Sequence, residues 1–298
     1  MSDYTQLLYD APAPHVARIT LNRPARMNAQ GPVMTYELDA AFKRACHDEA
    51  VHVIILAAAG KHFCAGHDLS ADEAGSGARV AEPVGLWGDA AAPGWEGAYT
   101  RERELYLDIT ERWRSAPKPT IAAVQGAVVA GGLMLAWACD LIVCAEDARF
   151  RDNTAAELGI PGVELFQHPF ELGARRAKEW LLTGDWLSAA DAKAIGMVNH
   201  VVPKEDLAAA ALRLAEKIAA NDRFAMKLAK QAINQAQDLM GRRPALEAAF
   251  SLHQVAHLHS MLVNGAPIDT SRLPASLRAQ VEAALAEQSA ARDTPKSG

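Results

Sequence analysis

The chain has 298 residues, half of them apolar and 22% charged, with 30 Lys plus Arg against 36 Asp plus Glu for a formal net charge of −6. Apolar content this high with so small a net charge excludes global disorder, and the length is enough to bury a large core without metals or disulfides. The acidic balance also argues against a general nucleic-acid surface, which needs a basic footprint to release counterions.

Val16 to Leu21 reads as a strand, broken by Asn22-Arg23-Pro24, and Met34 to Ala50 reads as an amphipathic helix with Leu38, Ala41, Phe42 and Ala45 at helical spacing. Val51 to Leu56 is a run rich in β-branched residues and apolar but for His52, as expected of a strand covered on both faces, and Ile121 to Val124 and Leu141 to Val143 repeat that character. Gly131 to Ala138 lies between the last two as a short apolar helix. This alternation predicts an α/β fold with crossover-connected strands. Asp72 to Gly97, rich in Gly, Ala and Pro, reads as an irregular insert, either a lid or a surface loop. From Leu207 the pattern is helical, first along Leu212, Ala215, Ile218 and Ala219 and then from Phe224 to Met240; Gln288 to Gly298 reads as a frayed end. The division expected is a core over 1–205 and a helical region over 206–298.

No stretch approaches the roughly 18–20 apolar residues of a membrane span, and Met-Ser-Asp-Tyr-Thr-Gln lacks the character of a signal peptide. Cys46, Cys64, Cys139 and Cys144 form no CxxC pair and read as reduced thiols, so a cytoplasmic location is expected.

Two glycine-containing turns follow apolar strands: Lys61-His62-Phe63-Cys64-Ala65-Gly66-His67-Asp68-Leu69, and Val124-Gln125-Gly126 through Gly131-Gly132. Backbone N–H groups at such turns can converge on an anion, and two aimed at one oxygen form an oxyanion hole. Either turn alone is equally a tight strand-to-helix connection.

Taken together with Ile19-Thr20-Leu21-Asn22-Arg23-Pro24, Asn28-Ala29, Cys139-Asp140, Leu158-Gly159-Ile160-Pro161-Gly162, Leu182-Thr183-Gly184, Ala189-Ala190-Asp191-Ala192 and Gly196-Met197-Val198, the turns give the chain a pattern that resembles the crotonase superfamily, the enoyl-CoA hydratase/isomerase proteins. The resemblance runs from about Tyr4 to at least Asn234. It implies a ββα spiral core with a helical C-terminal trimerisation region, assembled as a homotrimer or dimer of trimers. The substrate implied is an acyl-CoA thioester, in fatty-acid or related acyl-CoA metabolism, with no further cofactor. Carried over by position, the oxyanion hole falls on the N–H groups of His67 and Gly131. Substrate-binding turns fall on Ala25, Arg26 and Met27 and on Ala65, Gly66, His67, Asp68 and Leu69.

One part of the family pattern is missing. The two glutamates by which family hydratases manage water and its protons fall on Met134 and Thr154, neither of which is a base near neutral pH. Efficient hydration is therefore not expected. Substitute bases are Asp152, on the same side as Thr154 if 150–154 is extended, and Glu164, just after the Gly-Ile-Pro-Gly segment where family isomerases carry an acid. Glu164 reads equally as a helix-start cap, and His168 would share its helical face. The remaining alternatives are a hydrolase using one of these acids, or a non-catalytic acyl-CoA-binding protein. The His67 ring is not expected to act directly, and Asp68 is expected to hold its turn together. His253 and His257 form an i, i+4 pair near His259, but no HExxH motif is completed, and Leu252, Val255, Leu258 and Met261 read as a packing face; no metal is expected. Arg175, Arg176 and Lys178 read as a solvated face or a secondary contact to CoA phosphate.

Overall fold

A computed structural model describes residues 4–69, 83–88, 90, 92–273, 275, 278–279 and 281–283. Its backbone is a six-stranded sheet in the order β1-β2-β3-β4-β6-β9, beside a three-stranded sheet, β5-β7-β8. The strands are β1 (Leu7–Ala13), β2 (Val16–Leu21), β3 (Val53–Ala58), β4 (Thr120–Val124), β5 (Ala127–Val129), β6 (Leu141–Ala145), β7 (Arg149–Arg151), β8 (Leu187–Ser188) and β9 (His200–Val202). β1 and β2 form an antiparallel hairpin, and from β2 to β9 every pairing in the large sheet is parallel. β1 is the one long strand that the sequence pattern did not announce, since its burial alternates irregularly at the sheet edge.

The apolar strands are covered on both faces, as their composition predicts. Ile54 and Leu56 of β3, Ala122 and Val124 of β4, and Ile142 and Cys144 of β6 join the main core, which also holds Leu38, Phe42 and Trp113. The alternate residues Val53, Ile55, Ile121, Ala123, Val143 and Ala145 face a second core. Two-residue alternation within unbroken apolar runs thus serves two layers at once. Helix α1 (Pro32–His47) covers the first face with Met34, Leu38, Ala41, Phe42 and Ala45. The second is closed by Leu207, Ala211, Ala215 and Ala219, at four-residue spacing on the helix Leu207–Ala219. The expected C-terminal region therefore begins with a helix that is itself a layer of the core.

Between β3 and β4 run α2 (Trp95–Glu102), a π-helical stretch (Arg103–Asp108) and α3 (Ile109–Arg114). Trp95 and Gly97, expected in the irregular insert, are thus helical; residues 72–82, 89 and 91 of that insert lie outside the described residues. After β5 come α4 (Gly131–Trp137), α5 (Thr154–Leu158), α6 (His168–Leu172), α7 (Ala174–Thr183), α8 (Ala189–Ala194), α9 (Leu207–Ala219), α10 (Arg223–Leu239) and α11 (Arg242–Asn264). Asn153 precedes α5, so Thr154 opens a helix rather than extending β7. Buried Arg242 anchors α11 by hydrogen bonds to Gln167 and to Glu111 of α3. No described helix is long and apolar enough to cross a membrane.

Candidate active site

The turns after β3 and β4 lie beyond the carboxyl ends of two neighbouring parallel strands, where open α/β sheets place their ligands. Backbone hydrogen bonds lace them together: Phe63 N–H to Gln125 O at 2.8 Å, Val129 N–H to Cys64 O at 3.0 Å, and Ala65 N–H to Met27 O at 3.0 Å. Gln30, which the sequence did not single out, ties both sides. Its backbone exchanges bonds with Gly66 O and Asp68 N–H, and its side-chain amide donates to Gly131 O at 2.9 Å. Asn28 supports the same turn, donating to Ala59 O and His62 O and accepting from Arg23 N–H.

His67 and Gly131 are brought against each other: a Cβ placed on Gly131 would sit 2.5 Å from the His67 ring. Among the described residues, neither backbone N–H has a protein acceptor. Gly131 opens α4, and the residue before it, Ala130, has φ 45° and ψ −112°, a conformation that costs a non-glycine residue about 1–3 kcal/mol. The bond from Ala130 N–H to Arg151 O holds it there, so strain is retained at the point that aims the Gly131 N–H. Gly66 has φ +99° and Val129 O 3.0 Å from where a Cβ would lie, so glycine is required.

These turns open onto a cavity of about 550 Å3. Met27, Ala65, His67, Asp68 and Leu69 line it, while Ala25 and Arg26 sit on the exposed turn before Met27. Asp68 forms an ion pair with Arg23 Nη1 at 2.9 Å. The His67 ring is on the wall as well as its N–H, stacked on Tyr106 at 3.8 Å between centroids, and burial pushes it down to about 4. The π-helical stretch supplies Tyr106 and, with it, Leu105. Arg175, Arg176 and Lys178 are exposed and do not line the cavity.

Glu164 is on the wall, in a loop rather than at the start of a helix. It is 4% exposed; burial, and then the charge of Glu102, push its carboxyl up to about 8. Its Oε1 lies 3.7 Å from His67 Nδ1 and 3.7 Å from His253 Nε2, and its Oε2 has no protein partner. The two hydratase positions contribute no acid. Met134 packs in the main core away from the cavity, and Thr154, on the wall, donates its hydroxyl to Asp152 at 2.6 Å.

Asp152 must be corrected as a candidate base. It does not line the cavity, and its oxygens accept from Thr154 N–H, Thr154 Oγ1, Val163 N–H and, at 2.8 Å, His168 Nε2. Burial alone would raise its pKa, but these hydrogen bonds and the facing His168 hold it below the ordinary value. His168 therefore orients Asp152, not Glu164.

The largest departure from expectation is α11. Leu252, Val255, Leu258 and Met261, read as a packing face, are exposed, whereas His253 and His257 are buried and line the cavity; His259 is exposed. Glu102, which no sequence signal marked, joins them at the end of α2. Burial depresses His253 to about 4, with the neighbouring His257 adding to it. For His257 burial is outweighed by Glu102, which raises it; burial of Glu102 is likewise outweighed by His257 and His253, which bring its carboxyl down to about 2.

The arrangement sets two backbone N–H groups without protein acceptors, those of His67 and Gly131, at a largely apolar cavity with a buried carboxyl on its wall. A family model described as enoyl-CoA hydratase/isomerase matches residues 13–84 and 88–259. The putative enoyl-CoA hydratase EchA13 of Mycobacterium tuberculosis is 46% identical over 253 residues, covering 84% of this chain and 80% of that protein. A solved structure of a probable enoyl-CoA hydratase from Mycobacterium smegmatis is 45% identical with a TM-score of 0.78, over 89% of this chain and 98% of that one. A monofunctional enoyl-CoA isomerase from the same organism is 30% identical with a TM-score of 0.61, over 80% and 98%. The crotonase-type core expected from the two turns is thus the observed fold, and the chain belongs to the enoyl-CoA hydratase/isomerase family.

Proposed function

We propose that this enzyme shifts a carbon–carbon double bond in an acyl-CoA thioester, with the His67 and Gly131 N–H groups holding the enolate oxygen and Glu164 carrying the proton. The observation that supports this reading is the carboxyl of Glu164, buried on the cavity wall with one oxygen unpartnered, whereas Asp68 is paired to Arg23, Glu102 faces His253 and His257, and Met134 and Thr154 provide no acid. In its ionised form Glu164 takes a proton from the carbon between the thioester carbonyl and a 3,4 double bond. The C–H electrons form a 1,2 double bond while the carbonyl pair moves onto the thioester oxygen, giving a dienolate that keeps its 3,4 double bond until protonation at the fourth carbon shifts it to 2,3. The oxygen's charge is stabilised by dipoles already in place. The carboxylic acid returns the proton to the fourth carbon, the carbonyl reforms, and Glu164 is ionised again. One group suffices because the proton is removed and replaced on the same face. Addition of water needs a further group to position and deprotonate it.

The reading extends to a cytoplasmic enzyme acting alone on its acyl-CoA, without nucleic acid or membrane, as a homotrimer or dimer of trimers. The exposed apolar residues Leu252, Val255, Leu258, Leu262 and Val263 of α11 are consistent with subunit contacts.

The test is a coupled comparison of 3-enoyl-CoA isomerisation and crotonyl-CoA hydration. Isomerisation should dominate, and Glu164→Gln should lower it by about 10²–10⁴-fold. Hydration at the rate of an efficient hydratase, or isomerisation unchanged in the variant, overturns the proposal.

A further inference from the structure

Beside Glu164, three side chains from two distant stretches of chain converge on one point. His253 and His257 lie one turn apart on α11, and Glu102 ends α2; their ligand atoms all fall within 4.8 Å of one another. We infer that His253, His257 and Glu102 form a binding site for one first-row divalent cation of the zinc class, open to the acyl-CoA cavity.

The first argument is the fixed tautomers. His253 Nδ1 lies 2.9 Å from Gly162 O and His257 Nδ1 2.6 Å from Pro267 O. A carbonyl only accepts, so each Nδ1 carries a hydrogen and each neutral ring presents a bare lone pair at Nε2. Those two Nε2 atoms face each other at 2.8 Å. Two lone pairs cannot be held in that way without a cation between them, which is either a proton or a metal.

The third ligand decides between the two. A shared proton is satisfied by two nitrogens in line. Here Glu102 Oε1 lies 3.4 Å from His257 Nε2 and Oε2 3.9 Å from His253 Nε2, both too long for a strong charge-assisted hydrogen bond. In a tetrahedral site with metal–ligand bonds of 2.0–2.1 Å, ligand atoms stand about 3.3 Å apart. With one carboxylate oxygen as the third ligand, the two nitrogens stand 2.8 Å apart and no pair of ligand atoms exceeds 4.8 Å, so a shift of about 1 Å seats a metal.

The surroundings match as well. Histidine ligands of metals characteristically donate their other ring N–H to a carbonyl or carboxylate, which fixes the ring and raises its basicity. Both rings do so here. Glu102 Oε2 accepts from Gln254 Nε2 at 2.6 Å, and the Gln254 carbonyl oxygen accepts from Trp95 Nε1 at 3.0 Å, so the carboxylate is also held by an oriented partner. Two imidazoles and one carboxylate favour zinc-class ions over magnesium or calcium, which prefer oxygen. Three protein ligands leave a fourth position, and all three side chains line the cavity, so that position is accessible to solvent or substrate.

The inference does not depend on the isomerase reading, because its test counts bound metal rather than turnover. Full-length protein stripped with a chelator is titrated with Zn2+ by calorimetry, and its metal content is measured after dialysis. The expected result is one Zn2+ per chain. His253→Asn, His257→Gln and Glu102→Gln should each weaken binding 10-fold or more, while His259→Ala, exposed on the same helix, leaves it unchanged. Circular dichroism and melting of the metal-free proteins establish that each variant is folded. Co2+ gives a second readout, since its visible absorption should be lost in His257→Gln. Absence of stoichiometric Zn2+ in the parent, or Zn2+ binding retained when both His253 and His257 are replaced, overturns the inference and leaves a shared proton between the rings.

Discussion

Replacing Gly131 by alanine separates the oxyanion hole from the rest of the site. The added Cβ would lie 2.5 Å from Gln30 Nε2, 2.5 Å from His67 Cδ2 and 2.6 Å from His67 Nε2. Neither neighbour moves freely: Gln30 bonds to Gly131 O, and the His67 ring is stacked on Tyr106. The turn carrying the His67 N–H must therefore move away from Gly131, and the two donors no longer meet on one oxygen. Loss of one such donor is worth about 10²–10³ in turnover, or roughly 2.7–4 kcal/mol of transition-state stabilisation. Overpacking costs about 1–3 kcal/mol of folding stability, partly offset by the better helix propensity of alanine. The assay is α-proton exchange of an acyl-CoA in D2O, which reads enolate formation whatever reaction follows. Exchange should fall by about 10²–10³-fold while the protein stays folded by melting and circular dichroism. Gly132→Ala provides the contrast, since its Cβ would lie 2.4 Å from the Cys64 carbonyl oxygen, backbone that cannot rotate aside. That variant should lose folding stability first. Full exchange activity in a folded Gly131→Ala protein refutes the assignment of this N–H.

Ala130→Gly should relieve the strained φ and raise stability by about 1 kcal/mol net of glycine's entropy; a fall in melting temperature would show that the strain is not real. Asp152→Asn should cost about 3–5 kcal/mol, because an amide cannot accept from Thr154, Val163 and His168 together. Since folding depresses the Asp152 pKa, its stabilisation is complete above the unfolded value near 3.9 and is lost as pH falls through the lower folded value. Denaturant titrations of the two proteins should therefore differ by a constant amount from pH 5 to 8 and converge only at strongly acidic pH. A gap that widens on acidification would contradict the argument.

The strands were legible because Val53–Ala58 and Ile121–Val124 are apolar at consecutive positions, which only a two-sided covering explains. The two turns were legible because glycine is needed where neighbouring groups leave no room for a Cβ, and Gly66 and Gly131 are such positions. Helix α11 was misread for a physical reason. Apolar residues occupy both of its sides, so counting them selects Leu252, Val255 and Leu258. The face that is buried runs through Leu246, Phe250, His253 and His257, and its histidines bond through Nδ1 to the carbonyls of Gly162 and Pro267. Glu164 and Glu102 carry no periodic signal, because one sits in a loop and the other reaches the cavity only through the packing of α2 against α11. Asp152 looked available only while 150–154 was taken as extended; the helix beginning at Thr154 folds two donors back onto it.

The two halves of the site are supported by separate parts of the chain, which explains how one can change while the other stays intact. The half proposed to hold the enolate is built from backbone: turns locked by Gln30 and Asn28, the constrained Ala130, and the first N–H of α4. Side-chain replacements at Met134 or Thr154 leave that framework untouched, because Met134 packs into the core from the far side of α4 and Thr154 is turned to Asp152. The facing wall is assembled from side chains on the 161–167 loop, α2 and α11. Those groups set one another's charge: Glu102 favours protonation of both Glu164 and His257, while burial keeps His253 and His67 neutral. In this chain the cavity wall carries Glu164 with the His253, His257 and Glu102 cluster beside it.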